Sequence, residues 1–178
     1  HKVVLLPLHS GVAGGADIIL IPEIPYDIDK VVEAINKRSK DGKGFTILAV
    51  AEGAISKEDA KLSKKELKAK KKETKYPSVS YEVAAQIQER TGNEVRVTVP
   101  GHMQRGGSPC AYDRVLCTQL GAHAAKLILD EDYGYMVGMI DGQTRKVPLG
   151  DVAGKLKMVQ PDCQLIKEAK LVGICFGD

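Results

Sequence analysis

The sequence predicts a three-layer α/β domain, a mostly parallel sheet flanked by helices, on three observations. Two short apolar runs, Asp17-Ile18-Ile19-Leu20-Ile21-Pro22 and Phe45-Thr46-Ile47-Leu48-Ala49-Val50-Ala51, have the unbroken apolar character of strands buried on both faces. A segment with helical spacing lies between them and others follow, so strands alternate with helices along the chain. The 178 residues are 43% hydrophobic and 28% charged, which suits a single globular domain over 1–178 and excludes a disordered chain.

Each element has a local cause. The first strand is bounded by Gly14-Gly15 and Pro22. Asp27 then caps a helix that sets Val31, Val32 and Ile35 on one face and ends at Gly42. The second strand stops at Glu52-Gly53. Helical spacing returns from Tyr81 to Arg90 and stops at Gly92, and alternation from Glu94 to Val99 predicts a third strand. Ser108-Pro109 reads as an N-cap with proline in the first turn, opening a long helix with Val115, Leu116, Leu120, Leu127 and Ile128 facing inward. A fourth strand near 135–140 and a last helix near 165–171 complete the pattern.

Composition excludes several classes of function. No apolar run approaches the roughly 18 residues a membrane-spanning helix needs, and no signal-peptide layout is present, so a cytoplasmic protein without a membrane partner is expected. Cys110, Cys117, Cys163 and Cys175 are dispersed, without zinc-ligand spacing, and read as reduced thiols rather than metal ligands. The net charge of +3 is unevenly placed. Between Lys61 and Lys75 stand eight lysines against Glu66 and Glu73, a local excess of six that leaves −3 for the rest. Residues 57–78 therefore read as a lysine-rich exposed insertion. A nucleic-acid patch is the competing reading; residues 61–75 have no interleaved aromatics and no zinc or helix-turn-helix signature, so no nucleic-acid partner is expected.

Ligands of open α/β sheets bind beyond the carboxyl ends of the strands. The richest of these ends is Arg96-Val97-Thr98-Val99-Pro100-Gly101-His102-Met103-Gln104-Arg105-Gly106-Gly107-Ser108-Pro109, with two arginines, a histidine and three glycines. Arginine presents a planar fork of donors to phosphate oxygens, histidine adds another, and glycines let backbone approach an anion. The helix that follows would add partial positive charge. By chemistry alone the segment fits a phosphate cradle or a surface loop with a satisfied histidine. Glu52, closing the second strand, fits an acceptor for substrate hydroxyls or a salt-bridge partner of a nearby arginine. Glu23 fits a functional or a structural carboxylate. Tyr112, Asp113 and Arg114 read as scaffold, and His9 and His123 as surface or packing residues.

Gly11-Val12-Ala13-Gly14-Gly15-Ala16-Asp17, Ile21-Pro22-Glu23, Ala51-Glu52-Gly53, Arg96 through Pro109 and Tyr112-Asp113-Arg114 occur in the order and approximate spacing of the 6-phosphofructokinase family. Gly-His-Met-Gln-Arg-Gly-Gly-Ser-Pro at 101–109 is the most specific piece, and the resemblance covers about 10–149. It is similar to the bacterial group with both ATP-using and pyrophosphate-using members. The resemblance implies a carboxy-terminal, sugar-phosphate-binding half of an enzyme that phosphorylates the 1-hydroxyl of fructose 6-phosphate in glycolysis, with Mg2+ and ATP or pyrophosphate.

By that resemblance, His102 and Arg105 bind the 6-phosphate of fructose 6-phosphate, and Glu52 holds a sugar hydroxyl. Arg96 reaches the phosphate of a neighbouring subunit, which implies a homodimer or homotetramer. Asp17 and Lys43 fall at effector-site positions of regulated members, although Asp41 stands where those members carry a basic residue. The family's Gly-Gly-Asp-Gly loop and catalytic aspartate belong to an amino-terminal half without a counterpart in this sequence, so no catalytic residue is assigned and the chain alone is expected to be inactive. A non-catalytic sugar-phosphate-binding regulatory module is the alternative. The family's Met-Gly-Arg motif is replaced near His1 by His1-Lys2-Val3-Val4, and Pro7 falls inside a family helix, where an interior proline costs about 3 kcal/mol. Residues 1–7 are therefore expected to be displaced or added by cloning.

Overall fold

The computed structural model describes residues 5–156 and 158–178. In chain order the elements are α1 (Leu5–Ala13), β1 (Ile18–Leu20), α2 (Ile28–Lys40), β2 (Leu48–Val50), α3 (Lys64–Glu73), α4 (Val79–Thr91), α5 (Ala111–Leu129), β3 (Tyr135–Ile140), β4 (Gln143–Pro148), α6 (Leu149–Val152) and α7 (Gln164–Leu171). Short 3-10 turns occupy Asp59–Lys61 and Gly101–Arg105. The described residues pack as two compact units. One runs to Thr98 and resumes at Met158, and the other begins at Val99.

The first unit is built on β1. Ile18, Ile19 and Leu20 pair in parallel with Leu48, Ala49 and Val50 of β2, and the carboxy-terminal tail adds a parallel bridge from Cys175 to Ile18. Successive side chains of β1 point to opposite faces, which divides the core into two layers. Ile19 and Ile21 join Leu8 of α1, Ile166 and Ala169 of α7, and Phe176 of the tail. Ile18 and Leu20 join Val31 and Ile35 of α2, Val83 and Ile87 of α4, and Tyr26. The arrangement is the expected one, a small parallel sheet with helices on both faces.

Local signals explain these elements. Asp27 accepts a hydrogen bond from the Asp29 N–H as N-cap of α2, and Val31 and Ile35 lie on its buried face. Gly92 closes α4 in the left-handed conformation at φ 70°, and its N–H donates to the Gln88 carbonyl. Pro7 is the third residue of α1, inside the first turn, where its missing N–H costs no helical bond. Leu5, Leu6 and Pro7 thus belong to α1, which corrects the expectation that they are displaced; its part on residues 1–4 lies outside the described residues.

Gly11 lets α1 lie directly on the sheet: a Cβ there would stand 2.7 Å from Ile19 Cδ1 and 3.2 Å from the Ala49 Cβ. Gly11→Val is expected to destabilise the chain by about 1–3 kcal/mol through overpacking, read as a lower urea midpoint at unchanged slope. Tyr26, 2% exposed, has its phenol pushed up to about 12, first by burial and then by Glu82, Asp59 and Glu58. The folded state therefore holds this proton more tightly than the unfolded chain. The associated stability is complete below pH 10 and falls as pH rises from about 10 to 12. Tyr26→Phe should flatten that part of the urea-midpoint profile, leaving only the decline due to lysine titration.

Several expectations are corrected. The run 45–51 is not buried throughout: Phe45 is 71% exposed, and only Leu48–Val50 form a ladder. Residues 94–99 form no strand; Val95 and Val97 are half-buried, but no neighbour among the described residues pairs with their backbone. The long helix begins at Ala111 with Cys110 as N-cap, two residues beyond the expected Ser108-Pro109 start. Its five apolar residues do not face a buried interior. Val115 and Ile128 are 59% and 63% exposed, and no residue described from Val99 to 156 is buried. The periodicity is genuine, but so short a unit supplies too little chain to cover a 19-residue helix. The fourth strand, β3, is paired antiparallel with β4, a partner the sequence reading omits.

Among the described residues, no helix is long and apolar enough to cross a membrane. Residues 57–78 carry the capped helix α3, whose described lysines are all exposed.

Candidate functional site

The second unit holds the densest group of predicted site residues. Pro100 opens a 3-10 turn in which the Met103 N–H donates to the Pro100 carbonyl, and the Gly106 N–H donates back to Met103. His102 and Arg105 stand three residues apart on this turn. In a 3-10 helix that spacing eclipses the two side chains on one side. Both are exposed, and neither has an ion-pair or side-chain hydrogen-bond partner among the described residues. Gly107 follows at φ 89°, a conformation that a side chain would strain, and turns the chain towards α5. The turn thus presents an imidazole and a guanidinium together, the donor pair suited to a phosphate ester.

The start of α5 is less available to an anion than its sequence suggests. Asp113 folds back on the N-cap and accepts hydrogen bonds from the Cys110 N–H and thiol, both at 3.2 Å. This carboxylate satisfies one free donor of the helix terminus and offsets its partial positive charge. Asp113 is scaffold, as expected.

Glu52 lies in the first unit, two residues past β2, in a turn closed by the Ala54 N–H on the Ala51 carbonyl. It is exposed and makes no ion pair among the described residues, so the salt-bridge reading of this carboxylate is not met. Arg96 is paired with Glu94 at 2.8 Å, both side chains open to solvent. An exposed pair of this kind is worth little and is readily exchanged for a stronger anion.

Asp17 and Lys43 meet at one corner of the first unit through Arg38, a residue the sequence reading did not single out. The Asp17 carboxylate accepts from the Ile47 N–H at 2.8 Å and lies 2.9 Å from the Arg38 guanidinium. The Lys43 N–H donates to the Arg38 carbonyl, while the lysine side chain is exposed. Asp17 therefore ties the end of α2 and the 41–47 loop to the sheet. Arg38 Nε is buried and has no partner among the described residues, so this corner has an unused donor. Its signal in the sequence is a cation in the last turn of α2, a common position that by itself points to no particular partner.

Glu23 is structural in its visible contacts: Oε1 accepts from the Val159 N–H at 3.3 Å. Among the described residues, no group of three or more carboxylate, imidazole or thiol side chains is arranged to hold a metal ion.

Comparison with known proteins gives this geometry its context. A family profile described as Phosphofructokinase matches residues 2–128. An ATP-dependent 6-phosphofructokinase of Spirochaeta thermophila is 54% identical over 178 residues, covering 100% of this chain and 49% of that protein. ATP-dependent 6-phosphofructokinase 3 of Bacteroides thetaiotaomicron is 40% identical, covering 99% of this chain and 48% of that protein. The chain thus spans about half the length of the curated relatives it matches. Among solved structures, a pyrophosphate-dependent phosphofructokinase from Marinobacter aquaeolei superposes with a TM-score of 0.68 at 19% identity, covering 96% of this chain and 44% of that one. A second, from Nitrosospira multiformis, gives 0.64 at 20% identity, covering 90% and 41%. These two likenesses speak for the fold.

Proposed function

Because the chain belongs to the phosphofructokinase family, we propose that it forms the fructose 6-phosphate-binding part of a 6-phosphofructokinase acting in glycolysis. The observation that carries this reading is the placement of His102 and Arg105 three residues apart on a single 3-10 turn, exposed and without ion-pair partners among the described residues. Arg105 would take two oxygens of the 6-phosphate through its fork, and His102 a third. Glu52 would accept a hydrogen bond from a sugar hydroxyl, which distinguishes a sugar phosphate from inorganic phosphate. Arg96 would exchange Glu94 for the phosphate bound by a neighbouring identical subunit, so the working enzyme is a homo-oligomer.

The chain's role in the reaction is to position the substrate. Holding the phosphate and a hydroxyl fixes the 1-hydroxyl for in-line attack on the donor, and phosphoryl transfer depends mainly on such positioning and on charge neutralisation. The base that takes the hydroxyl proton and the donor pocket belong to the half that the relatives carry and this chain does not span. ATP is the favoured donor, since relatives at 54% and 40% identity are named ATP-dependent. Mg2+ would come with the donor phosphates, because the described residues here offer no cluster to hold it. At the Asp17–Lys43 corner an anionic effector would meet Lys43 and compete with Asp17 for Arg38. The proposed setting is the cytoplasm.

Calorimetric titration of the chain with fructose 6-phosphate tests the binding assignment. Heat that saturates with fructose 6-phosphate, falls away with glucose 6-phosphate and is lost in Glu52→Gln supports it. Equal binding of the two sugar phosphates would refute the hydroxyl assignment. A non-catalytic sensor would show the same binding but no turnover once joined to a donor half.

A further inference from the structure

We propose that the outward face of α3 is a docking surface for a flexible phosphate polymer, bound through its backbone charge and not its bases. At about 100° per residue, Lys64, Lys65, Lys68 and Lys72 fall within one arc of about 100°, spaced over two turns. All four are exposed, and none has a carboxylate partner among the described residues. Lys61 and Lys75 flank the helix and are exposed as well.

The acidic groups lie elsewhere. Glu66 is held at the N-cap, where it accepts from the Ser63 N–H at 2.8 Å, and Glu73 falls on the opposite arc. Lys70 is also on the opposite side, and its ammonium donates to Asp59 Oδ1 at 2.5 Å. Asp59 thus ties down one side of the helix and leaves the four-lysine face open.

An ordinary solvated helix face gains stability by alternating charge at i,i+4. Here Lys64, Lys68 and Lys72 place like charges at that spacing, which is destabilising. Lys64 and Lys65 also occupy the first turn, where the helix dipole opposes cations. The capping box of Ser63 and Glu66 keeps the helix formed against both effects. Binding a polyanion would relieve them.

The chemistry of the face selects the partner. Lysines are hydrated point charges without the fork that fixes the geometry of a single phosphate or carboxylate, which suits a backbone held by charge alone. Steps of about 6 Å between Lys64, Lys68 and Lys72 suit a charged backbone running along the helix. The absence of stacking aromatics, which argues against recognition of bases, does not weigh against binding by counterion release.

Fluorescence anisotropy of the full chain with a labelled oligouridylate of about 20 nucleotides, across a salt series, tests this. Four neutralised phosphates predict a slope of about −3 in log K against log salt, since single strands give about −0.7 per phosphate. The triple variant K64Q/K68Q/K72Q should lose about 2 of that slope. K70Q, altered on the tethered side, should leave it unchanged. Circular dichroism verifies that the variants keep their helix content. No salt-dependent binding, or equal losses in the triple variant and K70Q, would overturn the proposal. So would binding of polyglutamate in preference to the oligouridylate, since it would assign the face to an acidic protein.

Discussion

Arg105→Ala is expected to raise the KM for fructose 6-phosphate about 100-fold in the enzyme completed with a donor half, an effect of about 3 kcal/mol. The size follows from charge. The 3-10 turn leaves the Arg105 guanidinium exposed and without an ion-pair partner among the described residues, so its donors are available to the phosphate. Removing it leaves His102 as the remaining donor of the turn. Arg105→Lys keeps the charge but loses the planar fork, and should recover part of the affinity. The KM for ATP should hardly change in either variant, because Arg105 is assigned to the acceptor sugar. A parallel rise in both KM values would indicate a folding defect.

Phe176→Ala is expected to cost about 3–5 kcal/mol, a large share of the roughly 5–15 kcal/mol that stabilises a domain. Phe176 is 1% exposed and packs with Leu8, Ile19, Ile21 and Ile166, which joins the carboxy-terminal tail to α1, β1 and α7. Backbone bonds also hold the tail in place: Cys175 N–H to the Asp17 carbonyl, Ile19 N–H to the Cys175 carbonyl and Asp27 N–H to the Gly177 carbonyl. Losing the ring should loosen this edge of the sheet as well as leave a cavity. Urea unfolding should show the lower midpoint, and Phe176→Leu should recover most of the loss.

The sequence made the first unit readable because its signals are local and agree with one another. An unbroken apolar run became β1, Asp27 became the cap of α2, and Gly92 ended α4. Where prediction failed, the missing information was tertiary. Val95 and Val97 alternate like a strand, yet a strand also needs a neighbour. The apolar stripe of α5 has the right period, but periodicity does not say whether a covering layer is present. One failure was avoidable. Asp141-Gly142 joins β3 to β4 with both residues at positive φ, 50° and 74°, a two-residue hairpin turn that the Asp-Gly pair announces. The polar face of Gln143–Pro148 obscured the second strand.

The candidate site was legible only in part. His102 and Arg105 stand out by their spacing and glycine-rich setting, and the 3-10 turn that aligns them adds what spacing alone lacks. The Asp17–Arg38 pair was hidden, because its members stand 21 positions apart and Arg38 carries no motif of its own.

The most direct test is to join this chain to the amino-terminal half of the Spirochaeta thermophila relative and assay ATP-dependent phosphorylation of fructose 6-phosphate, with the product identified by phosphorus NMR. The account predicts fructose 1,6-bisphosphate, with turnover greatly reduced by Arg105→Ala at limiting substrate. A folded chimera that binds ATP but leaves fructose 6-phosphate unphosphorylated, beside an active intact relative, would contradict it.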